Sequence, residues 1–284
     1  MIFLNLLKLA GPNRTGCGTV AAKSMLIAIS SLAICATSHA QMITVAYDGF
    51  NYSSGSLGGA NGGTGWTTPW QLTYGPGGNF NVSATGLTYT NLSTTGGSIV
   101  WGSGGTTGIS EDSRTLPLQN SGVVYIQFLS QFGPGSSGGG TPNIRLVNSG
   151  TVTGGFGSNG GSLMSILDSS LLPNSSSSTT ASLSNLNFVI AQINYQTNTT
   201  EMWVNPNLST FDYQNPTTPD ATYANLAPVF DTIAIYSRSP ANVDELMVMA
   251  QPVPEPSSMV LLGMGVILGG LYCLGGRSPF KARA

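Results

Sequence analysis

Apolar and polar positions along this chain fall into three regimes. Two uninterrupted apolar runs, 25–36 and 259–276, stand near the ends, and between them apolar residues come in brief bursts divided by Gly, Ser, Thr, Asn and Pro. The bursts predict strands at 44–50, 98–101, 123–132, 143–147, 186–194, 199–204, 229–236 and 243–249. Within 123–132, Val124, Ile126 and Phe128 share one face, and Tyr125, Gln127, Leu129 and Gln131 the other. One side enters a core while the second is only partly wet. Residues 193–204 read as a hairpin around Gln196-Thr197-Asn198, stopped by Asn205-Pro206. Residues 206–228, with Pro216, Pro219 and Pro228, predict an exposed excursion and no helix. No regular rung period supports a β-helix.

The end runs predict addresses. Lys23, an apolar stretch of about 12 residues and Ser38-His39-Ala40 form a signal peptide over 1–40 with the cut after Ala40, so export by the Sec translocon and signal peptidase is expected. Residues 1–22 are either a long n-region or a misassigned start. The second run lacks charge until Arg277 and gives about 20 residues, roughly 30 Å of helix, which predicts a transmembrane helix over 258–276. Arg277, Lys281 and Arg283 behind it would stay on the cytoplasmic side, leaving the preceding domain outside.

Val253-Pro254-Glu255-Pro256, the span and the basic tail together resemble the PEP-CTERM sorting signal of Gram-negative envelope proteins, here covering 251–284. The resemblance implies an exosortase-type sorting enzyme as partner. It also implies an inner-membrane precursor and a mature product at the cell surface or outside, in bacteria that usually make extracellular polysaccharide.

Residues 41–250 are expected to be one all-β domain. Its order of strands resembles laminin-G-like and concanavalin-A-like jelly-roll sandwiches. The pieces that carry the likeness are Tyr47-Asp48-Gly49-Phe50 with the following glycine stretch and Trp66, the 193–204 hairpin, and the closing 243–248.

Composition then narrows the chemistry. Cys17, Cys35 and Cys273 all lie outside 41–252, so disulfides do not hold the domain. Its basic residues are Arg114, Arg145 and Arg238 against ten carboxylates, a net −7, which excludes a nucleic-acid groove. His39 is the one histidine and precedes the cut, so a Ser-His-Asp centre, a His zinc site and a His base are excluded from the domain. Glycosidase chemistry needs two facing carboxylates. None of the ten, Glu201 beside Trp203 included, stands in a Glu-x-Asp-x-x-Glu pattern.

Trp66, Trp70 and Trp203 offer stacking faces for a glycan or, alternatively, pin the glycine loop and fill the core. The jelly-roll resemblance implies a structural calcium among Asp48, Asp244 and Glu245, although calcium wants six to eight oxygens. No other cofactor is expected. The sequence therefore predicts a non-catalytic envelope or matrix protein. A carbohydrate-binding module for exopolysaccharide is the alternative, followed by a glycan-cleaving enzyme.

Overall fold

A computed structural model describes residues 41–75, 79–102, 108–133, 142–158, 160–171 and 176–251. The expected signal peptide, the expected sorting motif, the expected span at 258–276 and the basic tail lie outside them. Among the described residues no helix is long and apolar enough to cross a membrane.

In chain order the strands are β1 (Ile43–Asp48), β2 (Gly55–Ser56), β3 (Gln71–Tyr74), β4 (Asn79–Ser83), β5 (Ser98–Gly102), β6 (Ser110–Gln119), β7 (Val123–Phe132) and β8 (Asn143–Asn148). There follow β9 (Thr151–Gly157), β10 (Leu163–Asp168), β11 (Ser176–Ser182), β12 (Asn187–Asn194), β13 (Thr199–Val204), β14 (Ala221–Ala224), β15 (Phe230–Ser237) and β16 (Ala241–Gln251). They form two antiparallel sheets. The nine-stranded sheet runs β14-β13-β12-β7-β16-β5-β4-β2 with β1 also on β16, and the seven-stranded sheet runs β11-β10-β9-β8-β15-β6-β3. The result is the expected all-β sandwich of two sheets.

Alternation places the core. Ile126 and Phe128 of β7, Val189 and Ala191 of β12, and Leu246 and Val248 of β16 face Ile144 and Leu146 of β8, Phe156 of β9, and Ile233 and Ile235 of β15, all buried. The hairpin turn at 195–198 is fixed by Asn194, whose Oδ1 accepts the amides of Gln196 and Thr197 at 3.0 and 3.2 Å, while Asn198 takes φ 53°.

The glycine stretch before Trp66 has a steric cause. Thr64 bridges to Tyr47 of β1, and the loop runs so close to that strand that a Cβ on Gly63 would stand 2.2 Å from Tyr47 O, and one on Gly65 1.8 Å from Val45 O. Both positions also have positive φ, 67° and 78°.

The 206–228 excursion is not wholly exposed, contrary to its proline content. It contains β14, paired with β13, and sends Leu208, Phe211 and Tyr213 back onto the sheet, because Trp203 and Phe188 on that face need apolar cover.

Candidate ligand-binding face

The two sheets present different outer faces. On the nine-stranded sheet Tyr125, Leu129, Phe188, Ile190 and Trp203 form a second apolar layer. It is covered by Leu87, Tyr89 and Leu92 from the 84–97 loop and by Leu208, Phe211 and Tyr213 from the 206–220 segment. Trp203 is 2% exposed, meets Phe211 edge-on at 5.5 Å, and donates its Nε1–H to Thr217 O at 2.8 Å. Tyr125 donates to Tyr213 O at 2.6 Å and so ties the cover down. This face is closed.

The seven-stranded sheet is polar outside. Since Ile235 of β15, Ile144 of β8 and Phe156 of β9 point inward, Tyr236, Asn143, Arg145, Gly155 and Gly157 fall on the outer side. Register aligns Glu111, Tyr236, Asn143, Gly157, Ser165 and Ser178 in one row, and Tyr74, 51% exposed, pairs with Glu111 at its edge. The guanidinium of Arg145 lies 3.5 Å over the Tyr236 ring, donates Nη1–H to Glu111 Oε2 at 2.6 Å and Nε–H to Asn143 Oδ1 at 2.9 Å. Thr73 donates to the other Glu111 oxygen at 3.0 Å. Arg145 and Glu111 keep 17% and 19% of their side chains exposed. The row thus combines aromatic faces and a charge-balanced set of donors and acceptors at the β3–β6–β15–β8 side with buried Asn143, Gly157 and Ser165 beyond them.

Asp48 belongs to a different place. Its carboxylate accepts from Phe50 N (2.9 Å), Tyr52 Oη (2.6 Å), Trp70 Nε1 (2.9 Å) and Arg114 Nη1 (2.7 Å), and it is buried. Arg114 also donates to Thr68 O and Asn61 Oδ1 and lies 5.2 Å from the Trp66 ring. Trp66 is partly buried and donates to Tyr47 O at 3.0 Å, whereas Trp70 is 1% exposed. Both indoles hold the glycine loop against the body. Burial, reinforced by the bond to Asp48, pushes the Tyr52 phenol well above its ordinary range.

Asp244 and Glu245 sit at a bulge of β16, where Glu245 takes φ 52°. Asp244 accepts Leu87 N at 2.8 Å, and Glu245 accepts Thr95 N at 2.5 Å and Tyr47 Oη at 2.6 Å, so the pair clamps both ends of the 84–97 loop. Burial and Glu245 push Tyr47 up to about 12. Desolvation raises Asp244 to about 7. The structure brings the three expected calcium ligands to neighbouring positions, with Asp48 opposite Leu246 and close enough to act on Asp244, and gives each of them protein partners: Asp48 is matched by Arg114, and Asp244 and Glu245 serve amides and a phenol. Among the described residues no group of three or more His, Cys, Asp or Glu side chains is placed to hold a metal ion.

Sequence reasoning missed Arg145, Glu111 and Tyr236 because they come from three strands far apart in the chain. The one available signal was the scarcity of cations, which makes each arginine of the domain conspicuous.

Comparison with known proteins identifies the address. Residues 252–277 match the PEP-CTERM protein-sorting motif. No curated protein is similar in sequence. Among solved structures the chain is similar to the T. cruzi calreticulin globular domain (12% identity, 72% of this chain and 93% of that one, TM-score 0.40) and to a sialidase (7%, 63% and 16%, 0.40). A third is the binding domain of botulinum neurotoxin DC in complex with SialylT (13%, 66% and 46%, 0.35). The chain therefore spans only 16% of that sialidase.

Proposed function

We propose that this protein is an exported, non-catalytic β-sandwich, sorted by an exosortase-type enzyme to the cell surface or beyond, whose seven-stranded sheet binds extracellular polysaccharide through its outer face. The sorting motif at 252–277 supports the address. The contrast between the sheets carries the binding: one outer face is roofed by apolar loops, while the other keeps Tyr74, Glu111, Arg145 and Tyr236 at its surface. Sugar rings offer C–H faces to aromatic rings and hydroxyl groups to paired donors and acceptors, and the Arg145–Glu111 pair on Tyr236 supplies both beside the exposed Tyr74. The domain has no histidine and no cysteine, and Asp48, Glu111, Asp244 and Glu245 are spent on internal partners, which favours binding over turnover.

Titration of the exported protein with polysaccharide from cells that make it is the test. Tyr236→Ala and Arg145→Ala are each expected to weaken binding at least about tenfold, consistent with loss of a well-placed aromatic or arginine contact. Leu118→Ser, at an exposed site toward the other end of β6, is expected to bind as wild type. Correctly exported protein that retains no polysaccharide would leave a purely structural envelope role.

A further inference from the structure

Among the described residues the buried side-chain polar atoms without a hydrogen-bond partner are Trp101 Nε1, Ser110 Oγ, both carboxylate oxygens of Asp112, Ser130 Oγ, Arg238 Nε and Ser239 Oγ. Register gathers them at one end of the sandwich. Ser110 pairs with Ser237, two residues before Ser239; Ser130 pairs with Val243, which pairs with Ile99, two residues before Trp101. All six residues flank the connections β5–β6, β7–β8 and β15–β16. The chain leaves β16 from the opposite end, at Gln251 beside Val123.

Asp112 is the exceptional member. It points inward from β6 at 1% exposure, between Leu72 of β3 and Ile235 of β15; the backbone of Phe80 in β4 and the side chain of Ser110 act on its carboxyl, yet neither of its oxygens has a hydrogen-bond partner. Among the described residues no cation is paired with it. Arg114, the next inward residue of β6, is spent on Asp48, Thr68, Asn61 and Tyr52. Glu111 adds a like charge from the outer side. Tyr74 of β3 and Tyr236 and Asp231 of β15 are the other titratable groups on the flanking strands, Asp231 at the far end of β15 where it accepts Ser149 N; β4 brings none, and Arg238 follows β15. One carboxylate and one hydroxyl fall far short of a calcium shell, so a proton is the economical way to neutralise the site.

We propose that this end of the sandwich is a proton-operated latch: with Asp112 neutral β6 closes against β4, and loss of its proton parts the sheets there and wets the sealed polar atoms. Desolvation, the largest influence on the group, raises its carboxyl to about 7, so the switch lies in the range an exported protein meets. The sign follows. An acid held protonated in the fold but ionised when unfolded loses stability as pH rises from about 4 to about 7, and the loss is complete above that.

The test uses the full chain in detergent. The wild-type melting temperature is expected to fall by roughly 5–10 °C between pH 5 and pH 8, and amide exchange in β4 and β6, corrected for intrinsic pH dependence, to accelerate about tenfold or more. Asp112→Asn, which keeps the shape and removes the charge, is expected to abolish the exchange trend in β4 and β6 and to reduce the melting-temperature fall to the part that Asp244, raised to about 7 in the same way, contributes. Infrared difference spectroscopy should show two carboxylic-acid C=O contributions in the wild type at pH 6 that fade by pH 8, from Asp112 and Asp244, and only the Asp244 one in Asp112→Asn. A flat or rising melting temperature, an Asp112→Asn variant that follows the wild-type fall, or no acid stretch at pH 6 that Asp112→Asn removes would overturn the latch.

Discussion

Asp48 and Arg114 meet at 2.7 Å with 1% and 2% of their side chains exposed, and they bind the two sheets and the glycine loop at one point. Taking either partner away leaves a charge in the core, which costs far more than the pair itself contributes. Arg114→Ala is therefore expected to destabilise the domain by about 3–5 kcal/mol, seen as a lower denaturant midpoint, whereas replacing both partners with apolar residues of similar size recovers most of the loss. Asp48, Trp66 and Trp70 were legible in the sequence as residues, since they punctuate an apolar segment and a glycine run. Their partnership was not. Arg114 lies 66 positions from Asp48, inside a strand that reads as polar, and nothing in a local pattern encodes a contact over that separation. The same holds for Arg145 and Tyr236: each stands in a strand foreseen from sequence, yet their stacking follows only from the pairing of β8 with β15.

At the scale of elements, the strands that alternate or carry β-branched runs were visible, β7, β12, β13 and β15 above all. Those that break the apolar rule were not. β6 buries Ser110, Asp112 and Arg114 on its inner side, β9 is rich in glycine, and β11 is serine and threonine, so hydrophobic periodicity is silent for all three. The covered face of the nine-stranded sheet was hidden for another reason: proline and asparagine marked 206–228 as loop, but they do not reveal that a loop lies flat on an apolar patch. Phe211 is its keystone, packed edge-on against both Trp203 and Tyr213 at 5.5 and 5.0 Å. Phe211→Ala is expected to lower stability by about 1–3 kcal/mol and to shift tryptophan emission to the red as Trp203 becomes wet. Unchanged emission would mean that the segment stays seated without that ring.

Taken whole, the sandwich closes on itself through its two ends. Ile43 of β1 pairs with Ala250 of β16, so the first and last strands are neighbours, and the start of β1 and the end of β16 stand at the same end of the nine-stranded sheet. The sorting motif begins at residue 252, directly after that paired strand. No local pattern encodes this closure, which depends on long-range pairing; only the jelly-roll resemblance implied that the first and last strands are neighbours. Closure has a consequence for proteolysis, because a protease needs an unpaired extended segment and the domain contains no lysine. Of its three arginines, Arg114 is fixed in β6 by four acceptors, Arg145 lies in β8 between β15 and β9, and Arg238 precedes buried Ser239 and then Pro240. Trypsin acting on the native full chain in detergent is therefore expected to leave 41–251 in one piece by intact mass. In denaturing urea the same digestion should release fragments ending at Arg114, Arg145 and Arg238. Native fragments ending at Arg114 or Arg145 would show that β6 or β8 opens on its own, and that the long-range pairing of the sandwich does not behave as one cooperative unit.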